Sequence, residues 1–224
     1  MIRKILLAQI YLTFLLANII YIPDDAQNIQ DGVFAASPGD TVYVRAGTYY
    51  ESIVIESEIV LLGEDKETTI MDGSGSDILI NLKNATVENL TIQNGQRGFN
   101  IYHGNQGAGE PLIKNCIIRN NIDNGANDGA IYIAGDNGHT HPTIESCLIY
   151  GNSPYGMRVA TWNAGIGVTI INSTIVDNAS SAIRRQNSQV NIFNSILDGT
   201  STGGNQAGEF YSEYSLIGGN PQFV

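Results

Sequence analysis

TVENLTIQN, residues 86–94, recurs along the chain as LIKNCIIRN (112–120), TIESCLIYG (143–151), TIINSTIVD (169–177) and NIFNSILDG (191–199). YSEYSLIGG at 211–219 is a weaker sixth copy. The steps between copies are 26, 31, 26, 22 and 20 residues. Each copy holds an apolar residue, a variable one, Asn or Ser, and a second short apolar run. Periods of this size mark stacked repeats rather than one conventional core.

Inside a repeat the Val, Ile, Thr and Leu come in short alternating runs bounded by Gly, Asn, Asp and Ser, which is the pattern of strands and turns. No helical period survives. A leucine-rich repeat needs a regular Leu and Asn frame over roughly 20–29 residues, and a propeller blade needs about 40 or more. Neither fits. Two or three short strands per turn instead predict an all-β solenoid of about seven or eight coils, each hydrogen-bonded to the next, roughly 35 Å long.

Composition agrees. Aromatic residues make up 8% and charged residues 15%, while Gly numbers 25, as a thin core of small branched side chains with many turns requires. The net charge of −11 argues against binding plain duplex nucleic acid, which wants a basic face.

Arg3 and Lys4 precede an apolar run over 5–17, too short to span a bilayer and shaped like a secretory signal cleaved after Ala17. A short buried helix is the alternative. The expected organisation is a signal peptide at 1–17, a strand and capping helix at 18–38, and the β-solenoid at 39–224. The protein is then secreted, periplasmic or at the cell surface, with no stable membrane span after cleavage. The cap is a helix over 25–37, with Asp25 as N-cap and Ile29, Val33 and Phe34 on its apolar face. Residues 41–55 read as two strands around an Ala46-Gly47 turn. At the other end SLIGGNPQFV (215–224) stops on an apolar run with no polar cover. The chain therefore reads as incomplete, or as covered there by another segment or chain.

Cys116 and Cys147 hold one slot of adjacent repeats and read as small core residues, a disulfide being the alternative in an oxidising compartment. Asn89, Asn115, Ser146, Asn172 and Asn194 form the recurrent polar position, where stacked amides satisfy one another and suit turn geometry. Of the four glycosylation sequons, at Asn84, Asn89, Asn172 and Asn178, the second and third fall in that structural position.

Residues 20–55 add a resemblance. Ile29-Gln30, PGDTV (38–42) and GTYYE (47–51) are similar to the opening of pectin-lyase-like proteins, including pectinesterases. With the repeats, the resemblance covers nearly all of the mature chain and implies a right-handed parallel β-helix. It does not extend to a catalytic signature. Asp123 and Asp128 lie in NIDNGANDG, which matches no pectinesterase motif, and the single Trp is in TWNAG. The NTD, DD and GHG patterns of polygalacturonases are missing. HTHP at 139–142 is not the DPH of an alginate epimerase.

Aligned repeats expose a second column in GFNIY (98–102), GAIYI (129–133), YGMRV (155–159) and SAIRR (181–185). Alternation points Phe99, Ile131, Met157 and Ile183 inward and Asn100, Tyr132, Arg158 and Arg184 outward. Tyr102 and Gln186 share that face, and the neighbouring turns carry His103, Asp123, Asp128, Asp136, His139, His141 and Trp162. Arg pairs with carboxylates, and Tyr and Trp stack on sugar rings. Asn100, Tyr102, Tyr132, Arg158, Trp162, Arg184 and Gln186 thus form a candidate surface for a polysaccharide or cell-surface glycan. A plainly polar outer face is the bland alternative.

Arg158 and Arg184, one coil apart, repel unless an anion or a nearby Asp relieves them. A lyase or glycoside hydrolase acting on an acidic glycan is the second functional reading. Arg158, Arg184, Asp128 and His139 are then the catalytic candidates, and Asp123, Asp128 and Asp136 the candidates for Ca²⁺.

Overall fold

Asn89, Asn115, Ser146, Asn172 and Asn194 have φ of 61, 48, 55, 51 and 49°. This left-handed conformation suits Asn better than most side chains, because its short amide bonds locally. Each residue turns the chain from one strand into the next. A second such corner follows five residues later at Asn94, Asn120, Gly151 and Asp177, with φ of 58, 54, 66 and 53°. Two sharp corners and one wider turn per repeat wind the chain into three-strand coils. The repeat at 86–102, for example, gives strands Thr86–Glu88, Thr91–Gln93 and Arg97–Tyr102.

The computed structural model describes residues 17–75, 78–102, 109–124, 128–135, 140–161, 167–202 and 210–218. Like strands of successive coils pair in parallel into sheets of nine, eight and seven strands. Among the described residues they make seven three-strand coils, with one strand before them and two after, in agreement with the seven or eight coils expected from the repeats. Register is unshifted from coil to coil: Val87, Ile113, Ile144, Ile170 and Ile192 are successive partners, all fully buried. Met71, Ile92, Ile118, Ile149, Ile175 and Leu197 form a second inward file from the eight-stranded sheet. Phe99, Ile131, Met157 and Ile183 form the third, as expected.

Polar ladders fix this register. Asn115 Nδ2 donates to Asn89 Oδ1 at 2.7 Å, and Asn194 Nδ2 to Asn172 Oδ1 at 2.6 Å. One residue on, the Cys147 amide donates to Ser173 Oγ (3.1 Å), the Ser173 amide to Ser195 Oγ (3.0 Å) and the Ser195 amide to Ser215 Oγ (3.2 Å). Cys116 and Cys147 belong to this file as buried free thiols. Their Sγ atoms donate to the Lys114 and Glu145 carbonyls, each at 3.2 Å. Burial, reinforced by Cys147, pushes the Cys116 thiol well up.

The deepest ladder, Asn121–Asn152–Asn178, was not anticipated. Asn152 Oδ1 accepts from the Asn121 amide at 3.0 Å, and Asn178 Oδ1 from the Asn152 amide at 3.1 Å. Their Nδ2 atoms donate to carbonyls of flanking strands. Asn178, the last sequon, is 8% exposed and committed to this ladder in the fold.

Two N-terminal expectations need correction. The helix spans Ile29–Ala35, shorter than 25–37, and its N-cap is Asn28, whose side chain accepts from the Asp31 amide at 2.8 Å. Asp25 instead accepts from the Tyr21 amide, closing the turn ahead of the helix. Glu51 accepts from the Ile29 and Gln30 amides, satisfying the next orphan donors. Ile29 and Val33 are buried, but Phe34 is 76% exposed. So short a helix covers the tube with one narrow stripe. It sits close because Gly32 has no Cβ, which would fall 2.6 Å from Ile22 Cδ1. Residues 41–55 form three strands, Thr41–Val44, Gly47–Tyr49 and Ile53–Ile55, a full coil rather than a hairpin-like pair. The strand Ile19–Ile22 precedes them as expected.

Residues 1–16 of the expected signal, the run at 219–224, and His103, Asp136, His139 and Trp162 lie outside the described residues. Among those described, no helix is long and apolar enough to cross a membrane.

Replacing Asn152 by Ala removes the acceptor of the Asn121 amide inside the wall, while the main-chain amide at 152 still donates to Asn178 Oδ1. A loss of about 2–3 kcal/mol is expected, measured as a lower denaturation midpoint with unchanged slope.

Candidate functional site

The outer face of the seven-stranded sheet is built by register alone. Val54, Asn81, Asn100, Tyr132, Arg158 and Arg184 are successive partners in one outward file. Asn100 Nδ2 donates to Asn81 Oδ1 at 2.9 Å, so the first half of the file is amide and aliphatic. The second half is aromatic and cationic. Two residues along, Tyr102, Ala134, Ala160 and Gln186 form a parallel file in which two alanines lower the floor between larger side chains.

At the centre stands Asp128. One carboxylate oxygen accepts from Arg158 Nη1 at 2.5 Å and the other pairs with Arg97 Nη2. The Asp128 side chain is 7% exposed and each arginine 19%, so the three form a partly desolvated cluster rather than a loose surface pair. Tyr132 packs between the guanidiniums, its ring centroid 4.9 Å from Arg97 Cζ and 5.7 Å from Arg158 Cζ. Burial pushes the Tyr132 hydroxyl up, as does the Asp128 charge, while the two arginines oppose them. Asp123 Oδ2 accepts from the Asp128 amide at 2.9 Å and holds the turn that delivers the carboxylate.

Gly129 follows directly. A Cβ there would fall 2.8 Å from the Met157 carbonyl carbon and 2.9 Å from the Arg158 nitrogen. The coil bearing Asp128 can approach the coil bearing Arg158 only because this side chain is missing. Beyond Arg158 lies Arg184, whose Nη1 donates to the Tyr155 hydroxyl at 3.0 Å and whose Cζ sits 5.3 Å from that ring's centroid.

The structure thus brings Asn100, Tyr102, Tyr132, Arg158, Arg184 and Gln186 onto one face and adds Asp128. The repulsion between neighbouring Arg158 and Arg184 is relieved by Asp128, on the Arg158 side. Asp128 faces two guanidiniums and Asp123 faces an amide, and among the described residues no group of three or more His, Cys, Asp or Glu is placed to hold a metal. His141 is exposed, and its ring lies beside Gly167.

Arg97 and Tyr155 were missed by the sequence reading, for a definite reason. Strict alternation fails at the start of each strand, where two consecutive residues are buried: Gly98-Phe99, Ala130-Ile131, Gly156-Met157 and Ala182-Ile183. The next outward residue therefore lies three positions before Asn100 or Arg158, not two. Small residues ahead of the inward bulky one were the available signal.

Asp128→Ala leaves two guanidiniums facing each other across Tyr132. A loss of about 3 kcal/mol is expected in chemical denaturation, with raised salt recovering part of it. Unchanged stability would mean the cluster is a loose surface arrangement.

The profile described as the right handed beta helix region matches residues 18–218. Among solved structures, pectin methylesterase PemA from Erwinia chrysanthemi is similar at 13% identity and a TM-score of 0.48, over 94% of this chain and 91% of that one. Pectin methylesterase from carrot is similar at 12% identity and a TM-score of 0.47, over 86% of this chain and 75% of that one. ORF18 of Geobacillus virus E2 is similar at 13% identity and a TM-score of 0.29, over 89% and 59%. No curated protein matches the sequence. With the profile spanning nearly the whole chain and three parallel sheets stacked in register, this protein belongs to the right-handed β-helix family.

Proposed function

We propose that this is an exported β-helix protein that holds an extended acidic polysaccharide against the outer face of its seven-stranded sheet. The observation that carries the reading is the Arg97–Asp128–Arg158 cluster around Tyr132. It concentrates positive charge locally on a chain whose net charge is −11. Two arginines share one carboxylate, and Arg184 stands one coil further on, so among the described residues this outward cluster keeps a net positive charge. Aromatic rings beside the guanidiniums offer stacking surface to sugars. Side chains locked by ion pairs and packing lose little further freedom on binding. Export rests on the basic residues and apolar run of segment 1–17.

A lyase or hydrolase acting on the same class of glycan is the second reading, favoured by the convergence of a carboxylate, a phenol and two cations around one point. Against it, each Asp128 oxygen already accepts from a guanidinium, so service as a base requires breaking an ion pair.

The two separate in a retention and product screen against polygalacturonate, alginate and neutral glycans, with and without Ca²⁺. Binding alone predicts retention on an acidic polymer, weakened by Tyr132→Ala, with no unsaturated or reducing-end product. Product formation abolished by Arg158→Ala establishes the enzyme instead. Absence of both retention and product refutes the glycan reading.

A further inference from the structure

We infer that Arg184 and Tyr155 form the subsite that grips the carboxylate of an acidic sugar, while Arg97 and Arg158 serve to build the face. The inference rests on the glycan-binding reading above and deepens it. It starts from a charge inventory of the outward file. Arg97 and Arg158 are both paired with Asp128, in side chains 19% and 7% exposed. Arg184 is next in the file, in register with Arg158. Among the described residues it has no carboxylate within ion-pair distance. A half-buried guanidinium without a counter-charge, one strand separation from another arginine, is where an incoming anion gains most.

The chemistry of its neighbour fits. Arg184 Nη1 donates to the Tyr155 hydroxyl, which therefore uses its oxygen as acceptor. The Tyr155 O–H remains to donate, since a phenol does both. The ring also lies against the guanidinium, fixing its plane. A rigid guanidinium edge and a phenolic donor side by side offer two kinds of hydrogen bond to one carboxylate, and an ester offers such a site no charge. Arg119, on the eight-stranded sheet, also has a tyrosine partner. It is held from both sides, by Gln93 Oε1 at 2.9 Å and by the Tyr150 hydroxyl at 3.1 Å, and is thereby occupied as a rung of the wall.

Placement supports the same division of labour. Arg184 follows Tyr132 and Arg158 along the file, and Gln186 lies on the same strand and the same side. A glycan laid along the file from Asn100 would meet amides, then the Tyr132 ring, and then a carboxylate grip.

Affinity electrophoresis of the full chain through polygalacturonate and through its fully methyl-esterified form tests this. For Arg184→Gln a loss of about tenfold or more on polygalacturonate is expected, with retardation by the ester polymer unchanged. Tyr155→Phe, which keeps the ring and removes only the O–H, is expected to lose affinity in the same direction and again only on the acid polymer. That variant keeps the test valid should Arg184→Gln fail to fold. Wild-type affinity of both variants for polygalacturonate overturns the inference while leaving the glycan face standing. So does equal weakening on both polymers, which would make Arg184 a support of the face. If wild-type protein is retarded by neither polymer, the inference fails together with the reading it rests on.

Discussion

The coils from Asn89 to Asn194 turn their first corner in the left-handed conformation, and at Asn89–Asn115 and Asn172–Asn194 the corner side chains also bond from one coil to the next. Everything else follows from that double requirement. The corner sets where each strand begins, and the amide ladder from Asn89 to Asn115, or from Asn172 to Asn194, keeps the strands from slipping. A slip of one residue would turn every inward Ile outward. The Ser173–Ser195–Ser215 and Asn121–Asn152–Asn178 ladders repeat this control at neighbouring positions. The Asn ladder does so in a buried setting, where a missing partner costs most.

An unshifted register gives the outer face its character. Side chains that a globular protein would scatter are held one strand separation apart, in files whose composition alone decides what the surface does. On the nine-stranded sheet one such file alternates charge through Glu88, Lys114 and Glu145. On the seven-stranded sheet the file collects Tyr132, Arg158 and Arg184, and like charges would then oppose the fold. Asp128 offsets that cost, and it reaches its place because Gly129 lets the coils approach. The cluster and the coil geometry are thus one device.

The tube was legible from the sequence because its rules are local. Alternation named the inward residues Phe99, Ile131, Met157 and Ile183, and the recurrent Asn positions named the corners. The outward file of Asn100, Tyr132, Arg158 and Arg184 followed from the same alternation. What stayed hidden depended on neighbours in space. Arg97 and Tyr155 were lost where two successive residues turn inward at a strand start. Asp128 could be suspected of many roles from its Gly- and Asn-rich loop, but its pairing with arginines from the preceding and following coils is not written in its own segment. The buried Asn ladder was invisible because polar residues in turns normally face water. The cap was misjudged at Asp25 and Phe34 because a helix of seven residues buries too narrow a stripe for the full pattern to engage.

In the proposed binding mode one outer file of one sheet is the working surface, and the remaining repeat positions are wall. A crystal structure with a bound galacturonate oligomer tests this most directly. The sugar chain is expected along Tyr132, Arg158 and Arg184, with a carboxylate against Arg184 and Tyr155. An oligomer lying instead on the Glu88–Lys114–Glu145 face or on the eight-stranded sheet would contradict it.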